Sequence, residues 1–244
     1  MSSKNNYILF GVLVAAGVLV ISMFAMQVIN PSSTTLSGNQ KNTQDKDVFV
    51  TIAPGVEKTS RIPAIERKDP VTGNPDGEIT IVEFADFECQ PFCADAQKTL
   101  NELQKTYPDK IRLVWKNYPL EWHAFSQKAA EAVLCANEQG KFEAMRDILF
   151  AKQSISLLPS NIKEYAKNIG LNAEKFNACF DGGLNADAVA RDKATGVQFG
   201  VSAVPYFFFY KTATPEKGYN MSWAGTAREF QAVIDVLLAE KENP

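Results

Sequence analysis

The sequence predicts an α/β sheet with an all-helical insertion in its middle, preceded by an N-terminal transmembrane helix. Three observations predict it. A run of β-branched and aromatic residues, 79–87, is followed by helical periodicity. Residues from about Ser126 to Gln198 are helical in pattern throughout. The chain then returns to two aromatic-rich strands and a closing amphipathic helix.

The first element is the apolar stretch Tyr7 to Ile29. Residues 5–40 carry no charged side chain, and Lys4 with the amino terminus forms a short basic flank. These 23 residues make a helix of roughly 35 Å, enough for a hydrocarbon core of about 30 Å. The basic flank predicts a cytoplasmic amino terminus and an exported remainder. A cleaved signal peptide is the competing reading, but its apolar region is about 7–15 residues and ends in small residues. Here the stretch is longer and ends Phe24-Ala25-Met26-Gln27-Val28-Ile29. Residues 1–30 are therefore expected to be an uncleaved single-pass anchor in the cell membrane, with the rest on the periplasmic or extracellular side. Residues 31–65 are expected to be a linker: a Ser-, Thr-, Asn- and Gln-rich stalk to Lys46, then an irregular approach in which Val48 to Ile52 suggests a short strand. The folded domain is expected over residues 66–244, with the insertion at about 120–195.

Within that domain, Ile79-Thr80-Ile81-Val82-Glu83-Phe84-Ala85-Asp86-Phe87 reads as a buried central strand with one charge in its middle, Glu83. A helix begins near Pro91, since proline is favoured in a first turn, and carries Ala96, Leu100 and Leu103 at helical spacing. Ile111 to Trp115 reads as the second strand. In the insertion, Phe142, Met145, Ile148 and Leu149 form one apolar stripe, Ile162, Tyr165, Ala166 and Ile169 another, and Phe176, Cys179 and Phe180 a third. Gly140, Gly170 and Gly182-Gly183 mark its breaks. Tyr206 to Tyr210 is a strand, its partner lies near Asn220 to Trp223, and Phe230, Val233, Ile234, Leu237 and Leu238 line the last helix.

Composition excludes several functions. The 244 residues hold 25 Lys+Arg against 28 Asp+Glu, with no basic run, which argues against nucleic acid. A single histidine removes most His-built metal sites. No phosphate-cradling glycine signature is present, and neither a cofactor nor a metal is expected.

Chemistry concentrates in the four cysteines, 89, 93, 135 and 179. Structural zinc would require all four, and only one close pair exists. That pair, Cys89-Gln90-Pro91-Phe92-Cys93, stands where a strand hands over to a helix. A helix start stabilises a thiolate, and a second thiol one turn later is the arrangement for thiol–disulfide exchange. Asp86 and Glu88 oppose this by raising the Cys89 pKa. A static disulfide or two buried thiols are the bland alternatives. Exported thiols tend to pair, so Cys135 and Cys179 are expected to form a structural disulfide, with two separately buried thiols as the alternative. His123, after Trp122, has no partner legible in the sequence and reads as a packing or capping residue, with a role near the active site as the alternative.

Glu83-Phe84-Ala85-Asp86-Phe87-Glu88-Cys89 with Pro91-Phe92-Cys93 resembles the active-site region of DsbA-like thiol:disulfide oxidoreductases. The approach from Asp69 to Gly77, Tyr118-Pro119-Leu120 with His123, Ala136 to Phe142, and Gly200-Val201-Ser202-Ala203-Val204-Pro205 are similar to theirs, in the same order. The resemblance covers about residues 66–240. It implies a thioredoxin-like fold with a helical insertion, and thiol–disulfide exchange through Cys89 and Cys93. It implies a cis proline at Pro205, with the Val204 backbone holding the substrate strand. It further implies a buried Glu83 whose raised pKa lets it exchange a proton with Cys93. An oxidase role is favoured over reductase or isomerase, the substrates being exported cysteine-containing proteins and the reoxidant a membrane quinone-linked protein of the DsbB or VKOR kind. No dimerisation module is seen, so a monomer is expected. The family has two residues between its cysteines and this chain has three. Ideal i, i+4 helical positions hold Cβ atoms about 5–6 Å apart, whereas a bridge needs about 3.5–4.5 Å. A bridge therefore requires Cys89 outside regular helix or a bulged first turn. A chain unable to form it would be a redox-inactive binding or chaperone protein, or a Cu(I) carrier.

Overall fold

The computed structural model describes residues 52–53, 55–152 and 157–240. The expected anchor, the stalk and most of the strand suggested at 48–52 lie outside them. Among the described residues no helix is long and apolar enough to cross a membrane.

Six strands form one sheet: β1 Val56–Thr59, β2 Val71–Gly73, β3 Ile79–Ala85, β4 Ile111–Asn117, β5 Tyr206–Lys211 and β6 Gly218–Met221, in the order β1-β6-β5-β3-β4-β2. β3 is central and wholly buried, parallel to β4 and antiparallel to β5. Its β-branched and aromatic composition suits a strand covered on both faces. The seven helices are α1 Phe92–Thr106, α2 Ser126–Asn137, α3 Phe142–Ala151, α4 Pro159–Asn168, α5 Ala173–Asp181, α6 Ala186–Gln198 and α7 Ala227–Ala239. α2 to α6 are the insertion between β4 and β5, so the fold is the α/β sheet with an all-helical insertion that the pattern predicts.

Alternation along β3 and β5 assigns the faces. Ile79, Ile81, Phe207 and Phe209 meet Leu100 and Leu103 of α1 and Phe230, Val233, Ile234 and Leu237 of α7 in one core. Val82, Phe84, Phe208 and Tyr210 form the opposite core with Tyr118 and Val201. Glu83 shares the odd-numbered face with Ile79 and Ile81, so the pleat aims its carboxylate beneath α1. Val133, Met145, Leu149, Ile162, Phe176 and Phe180 of the insertion build a third core, which continues into Phe87, Cys89, Cys93 and Trp115.

Two devices, one polar and one steric, seat the insertion on the sheet. Lys116 of β4 is 1% exposed, yet its Nζ lies 2.7 Å from Asp69 and 3.2 Å from Asp192 of α6; a buried ammonium is tolerated only when so paired. Gly196 of α6 comes so near the Tyr118 ring that a Cβ there would stand 2.6 Å from it, so the close approach requires glycine.

Three elements differ from the sequence expectation. Val56–Thr59, within the expected linker, is an edge strand, and Val71–Gly73 is a short strand on the opposite edge. The last strand starts at Gly218 rather than near Asn220.

Candidate active site

β3 ends at Ala85, and residues 86–91 turn the chain into α1, whose first residue is Phe92 with Pro91 at the N-cap. The helix therefore starts one residue later than a helical Pro91 would place it. Cys89 stands outside the helix and Cys93 inside its first turn. Only one helix-like bond joins them, from the Cys93 N–H to the Cys89 carbonyl at 3.0 Å. The two cysteines form a disulfide with Cα atoms 5.4 Å apart, within the usual range of about 4.4–6.8 Å. The extra residue is thus accommodated by the turn before the helix. Cys93 is completely buried and Cys89 is 7% exposed.

Val204 and Pro205 come to the pair from the other side of the insertion. The Val204–Pro205 peptide is cis, as is Gln90–Pro91. The Val204 carbonyl oxygen lies 3.3 Å from Cys89 Sγ, so the residue expected to hold a substrate backbone is in contact with the less buried of the two cysteines.

Glu83 lies under α1 and is 5% exposed. Gln97, four residues after Cys93 and on the same helix face, donates from Nε2 to Glu83 Oε1 at 2.7 Å. Burial pushes the Glu83 carboxyl up to about 7, against the lowering influence of the Gln97 hydrogen bond and of the Arg146 charge. Cys135 of α2 and Cys179 of α5 are bonded, Cα to Cα 5.9 Å.

The sequence profile of the thioredoxin family matches residues 66–235. The chain belongs to the thioredoxin family. Among solved structures, this thioredoxin-family domain is similar to a thioredoxin-like oxidoreductase from Silicibacter pomeroyi, with TM-score 0.62 and 26% identity over 72% of this chain and 95% of that one. It is similar to DsbA2 of Pseudomonas aeruginosa, with TM-score 0.59 and 25% identity over 70% of this chain and 96% of the other. A Na(+)/H(+) antiporter NhaA 3 of Salinispora tropica is 36% identical over 148 residues, which are 60% of this chain and 22% of the antiporter. The chain thus spans only about a fifth of the length of that curated relative.

Gln97 and the partners of Asp86 and Glu88 escape a reading of the sequence. Gln97 carries one usable signal, its i+4 spacing from Cys93. Asp86, 2% exposed, accepts from the Leu120 N–H at 2.7 Å and pairs with His123 Nδ1 at 2.9 Å. His123 therefore acquires a partner that no sequence spacing reveals. Among the described residues no group of three or more His, Cys, Asp or Glu is placed to hold a metal.

The raised Glu83 pKa of this thioredoxin-family domain makes a stability prediction. Below about pH 4.5, the ordinary value, both folded and unfolded chains hold the proton and the group costs nothing. Between there and about 7 the unfolded chain releases it first, so folding stability falls as pH rises and levels off above that window. The loss is about 3 kcal/mol. Glu83→Gln is expected to flatten this fall and to be the more stable protein at pH 8, by up to about that amount. Denaturant unfolding of the oxidised proteins at pH 5 and pH 8 checks it; a wild type no less stable than the variant at pH 8 contradicts it.

Proposed function

We propose that this chain is an extracytoplasmic thiol–disulfide oxidoreductase that forms disulfides in exported proteins. The observation that carries the reading is the Cys89–Cys93 disulfide at a strand-to-helix junction, with Cys89 Sγ against the Val204 carbonyl. The similarity to a thioredoxin-like oxidoreductase and to a DsbA2 supports it.

In this reading a substrate thiolate attacks Cys89 Sγ. The Cys89–Cys93 bond breaks, a mixed disulfide forms on Cys89, and Cys93 leaves as a thiolate. Glu83, poised near neutrality, supplies the proton that Cys93 takes up. A second substrate thiolate then attacks the substrate sulfur of the mixed disulfide and expels Cys89. The substrate loses two electrons and two protons, and the pair gains them. The Val204 backbone holds the substrate strand beside Cys89. Turnover requires a reoxidant, here a membrane quinone-linked protein of the DsbB or VKOR kind. The apolar stretch at residues 7–29 supports the part of this reading that sets a monomer on the outer face of the membrane as an uncleaved single-pass protein.

The test is equilibration of the full chain in detergent across glutathione buffers, with disulfides mapped by mass. A reversible Cys89–Cys93 bridge is expected, with a midpoint between roughly −270 and −120 mV; a value near the upper end marks an oxidase and one near the lower end a reductase. Cys89 found only glutathionylated while Cys93 stays reduced would overturn the dithiol reading, and co-purifying Cu(I) would then favour a binding role.

A further inference from the structure

The turn that carries Cys89 is fastened to the helical insertion through two carboxylates. α2 starts at Ser126 with no cap of its own and no acidic residue in its first turn, so its leading N–H groups need acceptors from elsewhere. Glu88, the residue before Cys89, supplies one. Its Oε2 accepts from the Phe125 N–H at 2.6 Å and the Ser126 N–H at 2.9 Å. The Ser126 hydroxyl stands between Glu88 Oε2, at 3.2 Å, and Asp86 Oδ1, in a shorter contact. Asp86 Oδ1 also accepts from the Glu88 N–H at 2.6 Å, and the Asp86 carbonyl accepts from the Cys89 N–H at 3.2 Å. Oδ2 of the same carboxylate holds Leu120 and His123. Residues 86–89 and residues 120–126 are thus bound to one another by the two side chains that flank Phe87. α2 in turn carries Cys135, bonded to Cys179 of α5, so the attachment extends beyond one loop.

We propose that Asp86 and Glu88 are positioning residues that clamp the insertion onto the Cys89 turn, and that this clamp favours the disulfide form of the Cys89–Cys93 pair. The inference rests on the redox reading above. Its physics is linkage. The clamp is formed around the bridged turn; in this proposal, reduction frees Cys89 from Cys93 and the clamp then holds the turn less tightly. An interaction stronger in one redox form shifts the equilibrium between the forms by the ratio of its strengths in the two, and the redox state acts back on the clamp by the same factor. A cap and a buried network that served the fold alone would stabilise both forms equally and leave the equilibrium unmoved.

The experiment measures the glutathione equilibrium constant of the Cys89–Cys93 pair in the full chain, in wild type, Glu88→Ala, Glu88→Gln and Ser126→Ala. Ser126→Ala removes a shared donor without changing charge. Glu88→Gln keeps an acceptor oxygen and removes the charge. Glu88→Ala and Ser126→Ala are each expected to shift the pair toward the dithiol by three- to tenfold, Glu88→Gln by less than Glu88→Ala. Amide exchange at Phe125 and Ser126 is expected to be faster in the reduced wild type than in the oxidised. Should Glu88→Ala fail to fold, the other two variants decide. Constants within twofold of wild type in Ser126→Ala and Glu88→Ala, beside a reversible wild-type bridge, would overturn the clamp alone. Equal shifts in both Glu88 variants with none in Ser126→Ala would assign the effect to charge and also overturn it. A wild type with no reversible bridge would overturn the redox reading and the clamp with it.

Discussion

Replacing Cys135 and Cys179 together by alanine is expected to lower folding stability by about 4 kcal/mol. The bridge joins α2 to α5 across a sequence separation of 44. Cross-linking positions so far apart removes conformations from the unfolded chain that the folded chain never used, and the chain-entropy model puts that near the stated figure. Both sulfurs are buried, Cys135 at 1% and Cys179 at 6% exposure. Asn185 Nδ2, which donates to Glu138 Oε1 at 3.1 Å, lies 3.2 Å from Cys179 Sγ and 3.5 Å from Cys135 Sγ. Two alanines leave a small void among these groups, which adds to the loss rather than offsetting it. Denaturant midpoints of the variant and wild type, both with Cys89–Cys93 oxidised, test this. A difference under about 1 kcal/mol would place the bridge's contribution outside the range the closed loop requires.

The elements legible in the sequence are those whose evidence is local. β3 declares itself by β-branched and aromatic residues, α1 by Ala96, Leu100 and Leu103, and the insertion by its repeated apolar stripes. β1 and β2 do not, because four and three residues at the sheet edges bury too little to show a period. They exist as strands through pairing with β6 and β4, segments far away in the chain. β6 reads late because it opens on Gly218, a residue that ordinarily weakens a strand. Here glycine is needed, since a Cβ would collide with the Phe209 carbonyl.

The site divides in the same way. Cys89, Cys93 and Glu83 lie within one strand–turn–helix unit, and their relation follows from its spacing. Val204 and Pro205 arrive from over a hundred residues downstream and are legible only through the family resemblance. The clamp has no such help. Asp86 and Glu88 meet Leu120, His123, Phe125 and Ser126 across 34 to 40 positions, and nothing in either segment identifies the other. Charge alone marks Asp86 and Glu88 as neighbours that oppose a Cys89 thiolate. The structure adds that both carboxylates are already engaged by backbone N–H groups and a hydroxyl, so their role is geometric as well as electrostatic.

Cys89→Ser and Cys93→Ser are expected to fail in different ways. Both lose the bridge, so both should fall to the uncatalysed rate in oxidising a dithiol substrate or reducing insulin. The covalent chemistry left to each differs because the two sulfurs differ in access. Cys93 is completely buried beneath the first turn of α1, while Cys89 stands before the helix and is 7% exposed. A thiolate must reach a substrate sulfur in line to exchange with it. Cys93→Ser therefore retains a usable Cys89 and loses only the group that would release the substrate. Offered a disulfide-bonded protein, it should accumulate a stable mixed disulfide through Cys89. Cys89→Ser keeps only the enclosed sulfur and should accumulate none on the same timescale. Mass analysis of the two variants after incubation with oxidised insulin reads this directly. Adducts of equal yield through Cys93 in Cys89→Ser would contradict the assignment of Cys89 as the sulfur that carries the mixed disulfide. They would also mean that the turn at residues 86–91 opens far enough in solution to uncover Cys93, an opening the Asp86 and Glu88 contacts with the insertion oppose.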